Sequence, residues 1–260
     1  MSETVRYRHP QYFIQSLREY VLSPISTAAR LVERERSEIT AELEAFESFR
    51  DRLTSIDPVE RTRTREASGR YMRHETTVEP MEQVRAAYRD TVMDTPHYHD
   101  VYREALVEHM AGEFGADVAE GVRADSSVAF TSPYKEALMT STTGAVNRRE
   151  AFVDTLNDEA DSIDRARVVL SDILATLDTT VIPEWHCESF TERIDDIARR
   201  RQKALRRQSS IPPLDEYTLC GYLYQEEPWT FPVLTAITRT RESVELGEGV
   251  DEEHPDTSQR

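Results

Sequence analysis

The chain has 260 residues, of which 38% are hydrophobic and 8% aromatic, and a net charge of −17 from 49 acids against 32 basic residues. That length allows one large or two small domains. The apolar content is lean for a sphere and points to elongated helices, which expose more surface per residue. No apolar run approaches the roughly 18 residues of a membrane span, MSETVRYRHPQYF lacks a signal-peptide core, and Cys187 with Cys220 make no disulfide framework.

Of the 32 basic residues only Lys135 and Lys203 are lysine. An acidic excess keeps a surface hydrated in concentrated salt. Arginine holds carboxylates through a planar fork that is weakly hydrated. The composition therefore reads as that of a halophile's cytoplasm; GC-rich codon bias in an ordinary acidic protein is the plainer alternative.

Ser23-Pro24, Asp57-Pro58, Thr95-Pro96 and Ser132-Pro133 each set a capping side chain before a proline, the signature of a helix start. Asp57 also has Glu60 at capping-box spacing. The first long helix is expected over residues 24–56. Ile25, Val32, Ile39, Phe46 and Leu53 recur every seven residues, Ala28, Phe49 and Ile56 lie on a second seam, and Glu35 and Glu42 interrupt that seam.

An insertion of shorter helices is expected over 58–145. Met81, Val84, Tyr88 and Val92 form one stripe there, Tyr98, Val101, Tyr102, Ala105 and Leu106 another, and Gly112, Gly115 and Gly121 break the region. Two more long helices are expected within 147–208. The first is striped by Phe152, Leu156, Ile163, Ala166, Leu170, Ile173 and Leu177, the second by Phe190, Ile194, Ile197, Ala204 and Leu205.

Residues 211–240 form an aromatic closing segment, with Tyr217, Tyr222, Tyr224, Trp229 and Phe231 close together. Pro228 and Pro232 forbid one continuous helix there, and a short helix is expected from about Phe231 to Thr240. Residues 241–260, with seven acids and two arginines, read as a disordered acidic tail. The expected fold is all-α: a single helical domain over 1–240, with long amphipathic helices in an elongated antiparallel coiled-coil-like bundle.

ERERSEITAELEAFESFRDRL (Glu33 to Leu53) with its phenylalanine pair Phe46 and Phe49, and LCGYLYQEEPWTFPVL (Leu219 to Leu234) with Trp229 and Pro232-Val233-Leu234, carry a resemblance. The chain resembles an uncharacterised haloarchaeal family, the domain of unknown function numbered 7260. The resemblance implies a haloarchaeal cytoplasm and no activity.

Four features bear on chemistry. His97, His99 and Asp100 in TPHYHD are the metal candidates, although residues two apart on a helix point about 200° away from each other. Cys187, at a helix N-terminus, is the candidate reactive thiol, and Cys220 reads as a packed residue. Arg61 to Arg73 and Arg199 to Arg207 are arginine clusters of the kind that meets phosphate. The second follows Glu188, Glu192, Asp195 and Asp196, an order that complements the helix macrodipole, and molar salt weakens phosphate contacts steeply. Tyr222, Tyr224, Trp229 and Phe231 either close the core or form a ligand or partner surface.

Catalytic and phosphate-cradling signatures are missing from the sequence. The expectation is a non-catalytic interaction or regulatory protein without cofactor, its partner another protein or a second copy. The alternatives are a metal- or thiol-dependent enzyme using His97, His99 or Cys187, and a nucleic-acid regulator using the arginines.

Overall fold

The computed structural model describes the backbone of residues 10–59, 79–177, 184–207 and 218–248, and side chains within 18–59, 79–177, 188–207 and 218–244. Among these residues every regular element is helical. The helices are α1 (Pro10–Ser55), α2 (Pro80–Arg89), α3 (Tyr98–Val101), α4 (Leu106–Phe114), α5 (Ala116–Val122), α6 (Ser132–Leu177), α7 (Glu184–Arg207), α8 (Leu219–Leu223) and α9 (Pro232–Glu248), with a 3-10 turn at Val92–Asp94. The chain divides into two compact units, one built from residues up to Glu35 and from Thr155 onward, the other from Arg36–Asp154. By these ranges α1 and α6 supply residues to both.

In the first unit α1 buries Val21, Ile25, Ala28 and Val32, α6 buries Leu156, Ile163, Ala166, Leu170 and Ile173, and α7 buries Phe190 and Ile194. Each Val, Leu, Ile or Phe side chain among these contributes roughly 1.5–3 kcal/mol by leaving water. α9 adds Val233, Ala236 and Ile237.

The helix start expected at Ser23-Pro24 is not a start: α1 begins at Pro10 and Pro24 lies inside it. Proline has no N–H, so the Tyr20 carbonyl loses its ordinary donor. Ser23 Oγ donates to that carbonyl at 3.3 Å and Arg239 Nη1 of α9 at 2.6 Å. The serine therefore serves the preceding turn, not a cap.

The second unit is built around Phe46, Phe49 and Leu53 of α1, Val84 and Tyr88 of α2, Met110 of α4, Val122 of α5, and Leu138, Ala145 and Val146 of α6. Phe49 meets the Tyr88 ring edge-on at 4.9 Å and stacks with Phe114 at 6.4 Å. Lys135, one of the two lysines, donates from Nζ to the carbonyls of Thr54 (2.9 Å) and Ile56 (2.8 Å), closing the C-terminal end of α1.

Several boundaries differ from the sequence expectation. α6 starts at Ser132, as its Ser-Pro signal indicates, so residues 132–145 belong to the long helix and not to an insertion. Leu138, Ala145 and Phe152 already carry its seven-residue spacing, and all three are buried. The stripe over residues 98–106 is not one helix. Arg103 takes φ 54 and Ala105 is extended, which separates α3 from α4. Thr95 donates back to the Val92 carbonyl at 3.2 Å instead of capping, and α3 begins at Tyr98.

The short helix expected from Phe231 to Thr240 runs on to Glu248, so residues 241–248 of the expected acidic tail are helical. Residues 249–260 and the Glu60 capping box lie outside the described residues.

Two glycines are required by geometry. Gly115 has φ 90 and joins α4 to α5. A Cβ at Gly121 would stand 2.6 Å from the Tyr134 ring, whose hydroxyl donates to the Val118 carbonyl at 2.6 Å.

Candidate functional site

Each unit encloses a buried polar centre. In the second unit Glu42 is only 6% exposed although it lies on the apolar seam of α1. Arg149 of α6 donates through Nε to Glu42 Oε2 at 2.8 Å and through both terminal nitrogens to Glu113 of α4, at 3.0 and 2.7 Å. Tyr102 donates to Glu42 Oε1 at 2.7 Å, and His97 Nε2 meets the same oxygen at 3.0 Å. The guanidinium also lies 4.1 Å from the Phe46 ring centroid, a cation–π contact.

Beside this pair Tyr88 and His109 share a 2.6 Å hydrogen bond through Nδ1. His109 is packed edge-on against Tyr98 (5.0 Å) and Tyr102 (4.7 Å), and its Nε2 has no partner among the described residues. Burial lowers the His109 pKa, outweighing the carboxylates of Glu113 and Glu104. Burial raises Tyr102 well above the phenol range, and Glu42 adds to it. Arg149 rises despite burial, because Glu113 and Glu42 favour its charge. The centre is thus a fixed cation between two carboxylates, beside the neutral rings of Tyr88, Tyr102 and His109.

The first unit repeats the chemistry. Glu159 of α6 is 0% exposed and Arg201 of α7 is 1% exposed. They form a forked pair at 2.6 and 2.8 Å, with Ser162 Oγ at 3.1 Å and Cys220 Sγ at 3.3 Å from the same guanidinium. Tyr224, just after α8, donates to Glu159 Oε1 at 2.9 Å and packs against Trp229 at 5.6 Å. Burial pushes the Cys220 thiol up to about 12, with Glu159 adding to it. Burial also raises Tyr224, again with Glu159 second. At neutral pH both are protonated, and the thiol is a poor nucleophile.

The aromatic segment therefore divides. Tyr224 enters the first unit's core, Tyr222 donates to Glu35 of α1 at 2.7 Å, Trp229 is half-buried, and Phe231 is 41% exposed. His97 turns onto Glu42 while His99 and Asp100 are exposed. Among the described residues no group of three or more His, Cys, Asp or Glu side chains could hold a metal.

Cys187 lies in the first turn of α7, and its side chain is outside the described residues, as is the cluster Arg61 to Arg73. In the second cluster Arg201 is held by Glu159, and Arg200 pairs with Asp196 at 2.7 Å. Residue-by-residue reading missed Arg149, Glu113 and Glu159, and placed Arg201 only within an arginine cluster of the kind that meets phosphate. A signal was present for two of the three missed residues, since Arg149 and Glu159 continue the seven-residue rows of Leu156 and Phe152 on α6.

No helix among the described residues is long and apolar enough to cross a membrane. No curated protein and no solved structure matches the chain. The model of the domain of unknown function DUF7260 matches residues 23–247, nearly the whole helical region, and the chain belongs to that family.

Proposed function

We propose that this protein is a non-catalytic interaction or regulatory protein of a haloarchaeal cytoplasm, with its long helices packed in antiparallel, coiled-coil-like fashion. The observation that carries the reading is that the charged groups of both buried centres are paired with one another. Arg149 is held by Glu42 and Glu113, Arg201 by Glu159, and the adjoining phenols and the Cys220 thiol are shifted toward their neutral forms. Such centres join helices to one another and specify which faces meet.

The acidic excess and the near-absence of lysine support a salt-rich cytoplasm. The docking surface is the turn between α8 and α9, where Phe231 is exposed beside half-buried Trp229; tryptophan is favoured at the centre of protein interfaces. Affinity purification from the native cytoplasm at molar KCl, followed by mass spectrometry, tests the reading. A stoichiometric protein that co-purifies with the wild type and is lost with Phe231→Ala is the expected result. Recovery of the wild-type protein alone overturns it.

A further inference from the structure

A groove of about 640 Å³ opens in the first unit between α6, α7 and the start of α9. Its lining includes Ala166 and Val169 of α6, Ile197 and Ala204 of α7, and Val233 of α9. Val168, also on the lining, is 66% exposed, the most exposed of the large hydrophobic side chains among the described residues. That volume falls within the roughly 300–1,000 Å³ of small-molecule sites, which are likewise mostly apolar with a few polar groups.

The charge around the groove is one-sided. Its two acids are occupied: Asp164 pairs with Arg167 at 2.9 Å and Asp196 with Arg200 at 2.7 Å. Three lining cations, Arg165, Lys203 and Arg207, have no ion pair among the described residues. In a chain of net charge −17 with two lysines, three cations unpaired among the described residues around one apolar groove are a local reversal of the surface.

Arg201 also lines the groove. Its two terminal nitrogens reach Glu159, Ser162 and Cys220, while its buried Nε has no acceptor among the described residues. A buried donor without an acceptor is rare in folded proteins and calls for an explanation. It adds to the positive character of the groove wall.

We infer that the groove between α6 and α7 binds an anionic amphiphile, a long apolar chain ending in a carboxylate or phosphate. The chain lies along Ala166, Val169, Ile197 and Ala204, and the head group meets Lys203, Arg207 and Arg165. A neutral or cationic amphiphile of equal length fills the same apolar surface but gains nothing from these side chains. Molar salt screens separated charges within about 3 Å, so head-group selectivity at high KCl requires direct contact. The inference rests on the groove and does not depend on the interaction reading above.

The test is fluorescence titration of the full chain with cis-parinarate at molar KCl, followed by displacement. Saturable one-to-one binding, displaced by palmitate or hexadecyl phosphate at least tenfold better than by hexadecyltrimethylammonium, is expected. The stronger of the two anionic competitors identifies the head group. Lys203→Glu with Arg207→Glu, both exposed positions, is expected to weaken binding at least tenfold with unchanged helicity and melting temperature, and Ala204→Trp to block it. Absence of saturable binding overturns the inference. So does equal displacement by the cationic amphiphile, or full affinity in the double charge-reversal variant.

Discussion

Arg239 of α9 donates to the Tyr20 carbonyl at 2.6 Å, and that is the carbonyl which Pro24 leaves without its helical donor. The same guanidinium lies 4.0 Å from the Tyr20 ring centroid. A defect in one helix is thereby mended by a side chain 219 residues away. Arg239→Ala is expected to destabilise the protein by about 1–2 kcal/mol, from a lost charged hydrogen bond and a cation–π contact at a partly exposed site. In a Pro24→Ala background the cost should fall, because residue 24 can then donate to Tyr20 itself. A double-mutant cycle by chemical unfolding measures this coupling, and strict additivity would refute the account.

The Glu159–Arg201 pair is expected to behave as a buried ion pair. Removing one partner, as in Glu159→Leu or Arg201→Met, strands the other charge and should cost roughly 3–5 kcal/mol. Removing both together should cost far less than the sum, since a pair replaced by apolar residues of similar volume is often neutral. Equilibrium unfolding of the two single variants and the double variant decides it.

His109 makes stability depend on pH in a defined direction. Burial lowers its folded-state pKa below the ordinary value of 6.5. The unfolded chain therefore binds a proton that the folded chain does not, as pH falls below about 6.5. The stability this group contributes is fully present above that pH and declines toward the lower folded pKa, by up to about 1.4 kcal/mol per pH unit. Between pH 7.5 and 5.5 the wild type should lose more stability than His109→Gln. Parallel profiles for the two proteins would contradict the assignment.

Cys220 should resist alkylation. Its thiol is buried and pushed up to about 12, so little thiolate exists at pH 8 and reagents do not reach it. Peptide mapping after iodoacetamide treatment should find Cys220 unmodified in folded protein and modified after denaturation. Rapid labelling in the folded state would show that the Glu159–Arg201 centre is open to solvent.

Gly121→Ala should destabilise the protein by about 1–3 kcal/mol, the usual range for overpacking. The added methyl meets the Tyr134 ring at 2.6 Å, and that ring is held by the bond to the Val118 carbonyl. Gly121→Ala with Tyr134→Phe, which frees the ring to move, should recover part of the loss in thermal unfolding. Gly112→Ala, with open space around it, serves as the control.

Helical class was legible because the apolar spacing of α1 and α6 is a local property of the chain. Ile25, Val32, Ile39, Phe46 and Leu53 were identified as core positions by their period alone, and all but half-buried Ile39 are buried. The end of α7 and the proline interruption between α8 and α9 were readable for the same reason. The early part of α6 was obscured by the weak helix formers of TSTTG, which its seven-residue row overrides.

The acids on the seams mark where sequence stops and tertiary structure begins. Glu35 and Glu42 read as interruptions of a packing face, and Glu159 stood unremarked on the α6 stripe. A carboxylate on a buried seam is tolerable only with a donor opposite it. Those donors, Tyr222, Arg149 and Arg201, come from 187, 107 and 42 residues away. The sequence by itself determined where apolar surface recurs, hence that the chain is helical and which residues seek burial. Only the tertiary structure decided which polar residues meet inside, because those pairings depend on distances between helices that no local spacing encodes.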